Sequence, residues 1–320
     1  MNPKKDLVKH NINFLEYPLW FQDDRFAIKQ EGTFTWKDMD GYVFRSGYKV
    51  PVKTDAIFLL YFLLQSQRKD YVTEIVTTRY QVIKECKLSL DSKWYERLTE
   101  SLNRWLRVDV AFSGKFYDGK EFQHKAFHII DSWEIEKNTN NLRVAFSPEF
   151  LKMMKGKGFF KDVNFNEFKA LRTPLSIRLY EILSKSFHHR DTWPINATLL
   201  ANKIPMREKY PAHIIPKIRA ALKTINKKTA STFEMEVTRE GKGQAVIIFK
   251  KFSDSKPQPQ DEHLDKHRDI DQGVDQNTGQ NTDNSGDKDL EIVGHIIPNN
   301  PELNKLVTTL PWERQTQKVF

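Results

Sequence analysis

Leu60-Tyr61-Phe62-Leu63-Leu64 sits in one apolar helical stretch of the chain, and Leu179-Tyr180-Glu181-Ile182-Leu183 sits in another, 119 positions later. Further on, Leu98, Leu102 and Trp105 are answered by Ile218, Leu222 and Ile225, at an offset of 120. Apolar residues three or four apart mark helices that bury one face. After each of these later helices the period changes to two, and a hairpin is expected. A helix set closed by a β-hairpin is the layout of a winged helix, a helix-turn-helix module with a β wing. The doubling predicts an α+β chain of two tandem winged-helix modules.

The organisation follows from that repeat. Residues 1–50 read as an N-terminal arm, in which Thr33-Phe34-Thr35-Trp36 and Tyr42-Val43-Phe44 flank Asp40-Gly41, a hairpin signal. The first module is expected over 51–160. Its helices are placed near Asp55 to Gln67 with Thr54 as cap, around Arg79 to Cys86, and over Ser92 to Leu106 capped by Asp91. A strand from Val108 to Tyr117 turns at Asp118-Gly119 and pairs with Phe122 to Glu136, then with Leu142 to Phe146. Pro148 to Lys155 reads as a short helix. The second module is expected over 161–252, with helices over Leu175 to Phe187, Ala197 to Lys203 capped by Asn196, and Ala212 to Lys227. Pro216 either kinks that last helix or lies in its first turn. Strands Phe233 to Thr238 and Gln244 to Phe252 enclose a Gly-rich basic tip, the wing.

Charge is distributed unevenly. The chain carries a formal net charge of +9 and a pI of about 9.3. Asp254 to Leu290 holds ten acidic residues against four basic ones, so residues 1–253 carry +15. Residues 253–289 are too polar to offset their ordering entropy and read as a disordered acidic linker. Apolar residues return in a short C-terminal segment, 290–320, which either docks on a partner or folds back. Cys86 is the sole cysteine, so no internal disulfide or thiolate metal cluster can form, and a reducing cytoplasm is favoured. No signal peptide is expected. The longest apolar run, Ala56 to Leu64, is nine residues and too short to span a bilayer, so no membrane partner is expected.

The cationic surface points to double-stranded DNA. From Lys203 to Lys228 there are eight Lys/Arg and one acid, Glu208. On the third helix of the second module, Ile214, Ile218, Ala221, Leu222 and Ile225 share one face. His213, Arg219, Lys223 and Lys227 share the other, with Lys228 at the end. A solvated helix face usually mixes signs, whereas this one suits a DNA groove. Arg239 and Lys242 on the wing are expected to reach the backbone or minor groove. The third helix of the first module is mixed in sign. Its outer face is expected to carry Lys93, Glu96, Glu100, Asn103, Arg104 and Arg107, and the two glutamates would repel phosphates. That module is a weaker second reader, a homodimerisation surface, or both.

Nothing in the pattern points to catalysis, a cofactor or a metal. Gly114-Lys115-Phe116-Tyr117-Asp118-Gly119-Lys120-Glu121 approaches a phosphate loop, but Glu121 stands where a hydroxyl should hold magnesium. Its setting is strand–turn–strand. The adjacent pair His188-His189 lacks the spacing of a nickase site.

The stretch from Phe146-Ser147-Pro148-Glu149-Phe150-Leu151 to Pro174-Leu175-Ser176-Ile177-Arg178-Leu179-Tyr180-Glu181-Ile182-Leu183 resembles plasmid replication initiators of the tandem winged-helix class. The opening Asn13-Phe14-Leu15-Glu16-Tyr17-Pro18-Leu19-Trp20 is similar to the start of the replication initiator protein A family within that class. The resemblance covers residues 10–252. It implies binding to repeated origin sequences (iterons), local strand opening, and recruitment of a host initiator and helicase. It also implies dimeric forms that repress their own gene. Two other readings stay open on the residues alone: a transcriptional regulator of the same architecture, and a nickase or primase-type enzyme.

Overall fold

The chain opens with a strand, β1 (Leu7–Asn11), and a short helix, α1 (Ile12–Glu16), started by Asn11, whose side chain accepts the Asn13 N–H at 2.9 Å. In this computed structural model, residues 6–22, 34–37, 41–115, 121–155, 160–187, 190–239 and 245–252 are described. The acidic linker and C-terminal apolar segment expected after residue 252, the His188-His189 pair and Lys242 lie outside them.

β2 (Phe34–Lys37) and β3 (Tyr42–Ser46) form the expected hairpin. Gly41 adopts a φ of +82°, and a Cβ there would meet the Ser113 carbonyl oxygen at 2.3 Å, so only glycine fits. α2 (Lys53–Arg68) follows. Its cap is not Thr54: the helix starts from Val52, whose N–H is accepted by Asp55 from inside the first turn at 2.7 Å. Every residue from Ala56 to Leu64 is buried, which makes α2 a central helix, packed on most of its circumference.

Next come β4 (Glu74–Thr78), α3 (Arg79–Glu85) and α4 (Ser92–Leu106). Thr78 and Asp91 cap the two helices, accepting from the Gln81 and Trp94 N–H groups, each at 3.2 Å. The strands β5 (Val108–Lys115), β6 (Glu121–His128), β7 (Ile130–Ile135) and β8 (Asn141–Phe146) lead to α5 (Pro148–Lys155). The second half begins with β9 (Phe160–Asn164) and α6 (Phe165–Ala170). It continues through α7 (Pro174–Ser186), β10 (Thr192–Asn196), α8 (Ala197–Lys203), α9 (Pro211–Lys228), β11 (Thr232–Arg239) and β12 (Ala245–Phe252). Pro216 lies well inside α9 on its exposed side, not in the first turn.

The repeat is visible in the sheets. One has strand order β4-β8-β7 and another β10-β12-β11. In each, a long helix precedes the first strand, two helices follow it, and an antiparallel hairpin closes the set. The hairpin answering β11–β12 is therefore β7–β8. The continuous strand expected from Phe122 to Glu136 is broken at buried Ile129 into β6 and β7. β5 and β6 join β2 and β3 in a separate four-stranded sheet, an insertion with no counterpart among the described residues of the second half. Because β5 follows α4 directly, the chain order placed the hairpin one strand pair too early.

β1 and β9 pair antiparallel, from Leu7 opposite Asn164 to Asn11 opposite Phe160. Each strand ends in an asparagine that caps a short helix, and the register maps onto itself when the halves are exchanged. α1 packs on α7 of the other half, and α6 packs on α2. Residues 7–21 are thus no peripheral arm. Phe14, Leu15, Trp20 and Phe21 are buried, in one continuous core that runs through both halves.

Candidate nucleic-acid interface

α9 carries the most uniform charge. Ile214, Ile218, Ala221, Leu222 and Ile225 are buried, so the opposite face must point to solvent. His213, Arg219, Lys223, Lys227 and Lys228 are exposed there, as the sequence places them, and Lys217 is exposed as well. Glu208 is answered by Lys217, and burial, which works against its charge, is outweighed by that partner, so its carboxyl stays below the ordinary range. The one acid in the run is thereby neutralised. No described carboxylate pairs with Arg219, Lys223, Lys227 or Lys228. Arg239 ends β11, with its side chain outside the described residues. Two exposed apolar side chains carried no sequence signal beyond their type: Tyr210, at the N-cap of α9, is 69% exposed, and Leu199, on α8, 43%. The Tyr210 ring lies edge-on to His213.

α4, the counterpart helix of the first half, is built differently. Leu98, Leu102 and Trp105 are buried as expected. Arg104, expected on the outer face, is turned inward. It donates to the Val50 carbonyl at 3.2 Å and to Asp55 at 3.1 Å, with only 11% of its side chain exposed. The cause is Asp55, a fully buried carboxylate that also draws in Arg97 at 2.8 Å. Arg104 thus serves as an internal ion-pair partner and is not on the outer face where the helical wheel places it. Glu100, expected to repel phosphate, is held by Tyr48 and Lys49, each at 3.1 Å, and lies 3.5 Å from Arg104. Burial works against its charge, yet these partners hold the carboxyl below the ordinary range.

Lys93 is exposed, Asn103 is half-buried, and Arg107 is exposed with its guanidinium over the Tyr48 ring. Arg107 also donates to the Asn103 carbonyl at 3.1 Å. Between α3 and α4 lies an open groove of about 520 Å³, lined by Arg79, Ser92, Tyr95, Glu96, Thr99, Glu100 and Asn103. Arg79 is steadied in it over the Tyr95 ring, 5.6 Å from the centroid. No spacing in the sequence groups Arg79 with α4, because Arg79 starts α3 and reaches α4 only across the turn between the two helices. β5 ends at Lys115 and β6 starts at Glu121, and the Asp118-Gly119 turn expected between them lies outside the described residues.

A buried polar junction fixes the two halves. Arg178 on α7 donates to the carbonyls of Leu15 and Glu16 at 3.0 and 2.6 Å and pairs with Glu181 at 2.8 Å. Glu181 accepts from Trp20 Nε1 at 3.3 Å. Glu16 pairs with Lys185 at 2.6 Å and with Lys203. Among the described residues no group of three His, Cys, Asp or Glu is placed to hold a metal, and no helix is long and apolar enough to cross a membrane.

A family model described as Replication initiator protein A matches residues 55–235. Among solved structures, a crystal structure of domains 2 and 3 of RctB is similar, with 14% identity and a TM-score of 0.53 over 75% of this chain and 98% of that one. The Pi initiator protein, solved in complex with iteron DNA, is similar with 13% identity and a TM-score of 0.52, over 80% of this chain and all of that one. At these identities the likeness is one of fold. No curated protein matches the chain in sequence.

Proposed function

Because this chain belongs to the replication initiator protein A family, we propose that it binds repeated sequences at a plasmid origin and helps to open the origin there. Each half acts as a winged-helix module, about 51–160 and 161–252, with β1 and α1 locking them together. The observation that carries the reading is the exposed face of α9, where Arg219, Lys223, Lys227 and Lys228 are uniformly cationic and free of acidic partners among the described residues. Such a helix is attracted to phosphates and presents side chains to base edges in the major groove. His213 stands at its N-terminal end, and Arg239 and Lys242 belong to the wing. Lys93, Asn103 and Arg107 on α4 form the second reading surface, without Arg104.

The protein works by binding, without catalysis of its own, in the bacterial cytoplasm. Its partners are double-stranded DNA, a host initiator and helicase, and a second copy of itself through the first module. The Pi initiator, of the same fold, was solved on iteron DNA, which supports the DNA partner.

The test is a titration of the full-length protein against a duplex carrying the direct repeats that flank its gene, beside a duplex with the repeats shuffled. Specific recognition at physiological salt is expected to exceed non-specific binding by about a thousandfold or more. Equal affinity for both duplexes overturns the reading. Strand cleavage in the presence of magnesium or manganese overturns the non-catalytic part.

A further inference from the structure

We infer that Glu96 on α4 is a base-reading residue that selects a cytosine, and that Asn103 on the same face reads an adenine about three steps away. This rests on the origin-binding reading above and adds to it the specificity of the first module.

The exposed acid on a DNA-facing helix is the puzzle. Glu100, one turn further on, is explained by the structure: Tyr48, Lys49 and Arg104 engage it. Glu96 has no such partner. It is exposed, no hydrogen bond or ion pair among the described residues holds it, and it lines the groove together with Arg79, Tyr95, Thr99 and Asn103. A free carboxylate there lowers general attraction to phosphate. Meanwhile Arg97 and Arg104, cations of the same helix, are committed to Asp55 inside. The surface is therefore poor in non-specific attraction and rich in groups that discriminate.

An ionised carboxylate can only accept hydrogen bonds. The donors on major-groove base edges are cytosine N4 and adenine N6. Adenine sets the N7 acceptor beside its donor, and guanine and thymine present the acceptors O6 and O4, all of which oppose a carboxylate. Cytosine is the base that satisfies Glu96 without that conflict. Asn103 follows seven residues later, so it returns to the same helix face about 10 Å along the axis. That distance is about three base steps at 3.4 Å each. Its amide both donates and accepts, which matches adenine N7 and N6. Lys93 and Arg79 flank the pair and are placed to meet phosphates.

The experiment selects duplexes from a pool with a randomised core, using the full-length protein, with wild type, Glu96→Ala and Glu96→Gln in parallel. Wild type is expected to enrich a repeat with a C·G pair at one position. Glu96→Ala is expected to lose that preference, by about tenfold or more, while every other position persists and binding to random DNA tightens. Glu96→Gln, which can donate as well as accept, is expected to move the position toward adenine. Glu96 is exposed, so circular dichroism should not change in either variant. Identical selected sequences for wild type and Glu96→Ala overturn the assignment while leaving the origin-binding function intact. Failure of wild type to enrich any sequence overturns both.

Discussion

Arg178 donates a guanidinium proton to the main-chain carbonyl of Glu16 across 2.6 Å, joining residues 162 apart in sequence. The two belong to stretches, Asn13 to Trp20 and Pro174 to Leu183, in which the sequence resembles the initiator family. The Arg178 side chain is 2% exposed and reaches the Lys203 carbonyl as well, so one guanidinium ties α1, α7 and the end of α8 together. Planar, multiply donating geometry of this kind is not available to lysine.

Replacing Arg178 with Met leaves Glu181 buried and without its cation, and Lys keeps a charge but cannot donate to Glu181 and to the Leu15 and Glu16 carbonyls at once. Breaking a buried pair on one side costs about 3–5 kcal/mol. Chemical denaturation should show a loss in that range for Arg178→Met, with Arg178→Lys rescuing little of it. A loss below about 1 kcal/mol would mean that the junction is not under this stress.

Acid should loosen the same junction. His10 is buried beside Phe14, and burial first, then Arg178, lowers its pKa to about 4, with the Asn11 carbonyl opposing at 3.3 Å. The folded protein therefore refuses a proton that the unfolded chain takes at 6.5. Stability is full above 6.5 and falls as pH drops from there toward 4, by about 3 kcal/mol in all. Glu16 adds a second loss at lower pH. Burial pushes its carboxyl up, but Lys185 and Lys203 hold it below the ordinary range, so its contribution disappears only below about 4.5. Unfolding free energies at pH 7 and pH 5 should differ in wild type and much less in His10→Leu. Equal values in wild type at the two pH values would contradict the burial of a neutral imidazole.

Arg104 and Arg219 should separate stability from binding. Arg104→Ala uncovers Asp55, a fully buried carboxylate, and should lower the melting temperature while leaving affinity per folded molecule near wild type. Arg219→Ala with Lys223→Ala removes two exposed cations. It should cut repeat affinity about tenfold or more and reduce the salt slope by about two, without a change in melting temperature. The pair of experiments fails if the double variant binds like wild type or if Arg104→Ala binds poorly while fully folded.

The legible part of the fold was local. Ser92 to Leu106, Ala197 to Lys203 and their caps Asp91 and Asn196 could be read directly, because capping and apolar spacing act within a few residues. α9 could be read as a cationic face for the same reason. What escaped was non-local. The pairing of β4 with β8 spans the inserted β5–β6 hairpin, and no periodicity distinguishes an inserted hairpin from a closing one. Arg104 looked exposed on a helical wheel, but Asp55, 49 residues earlier, pulled it in. Phe14 and Leu15 read as part of an arm because their partners on β5, β6, α5 and α7 lie about 100 residues or more away.

The exchange of short helices between the halves has a consequence for truncation. A fragment spanning residues 161–252 keeps α7 to β12, including the cationic helix, but loses α1 and with it the partners of Arg178 and Glu181. Of residues 6–22, Leu15 and Trp20 are buried where α1 meets Arg178 and Glu181, each worth about 1.5–3 kcal/mol. Their sum reaches the lower end of the 5–15 kcal/mol that holds a typical domain together. The fragment alone should therefore lack a cooperative thermal transition, and its DNA binding should lose sequence preference with the lost order of α9. Adding residues 6–22 as a separate peptide should restore part of the transition, because β1 can still pair with β9 and α1 can still dock on α7. A scrambled peptide should not. A sharp, peptide-independent melt of 161–252 would show that the second half is a self-sufficient module and that β1 and α1 are dispensable to it.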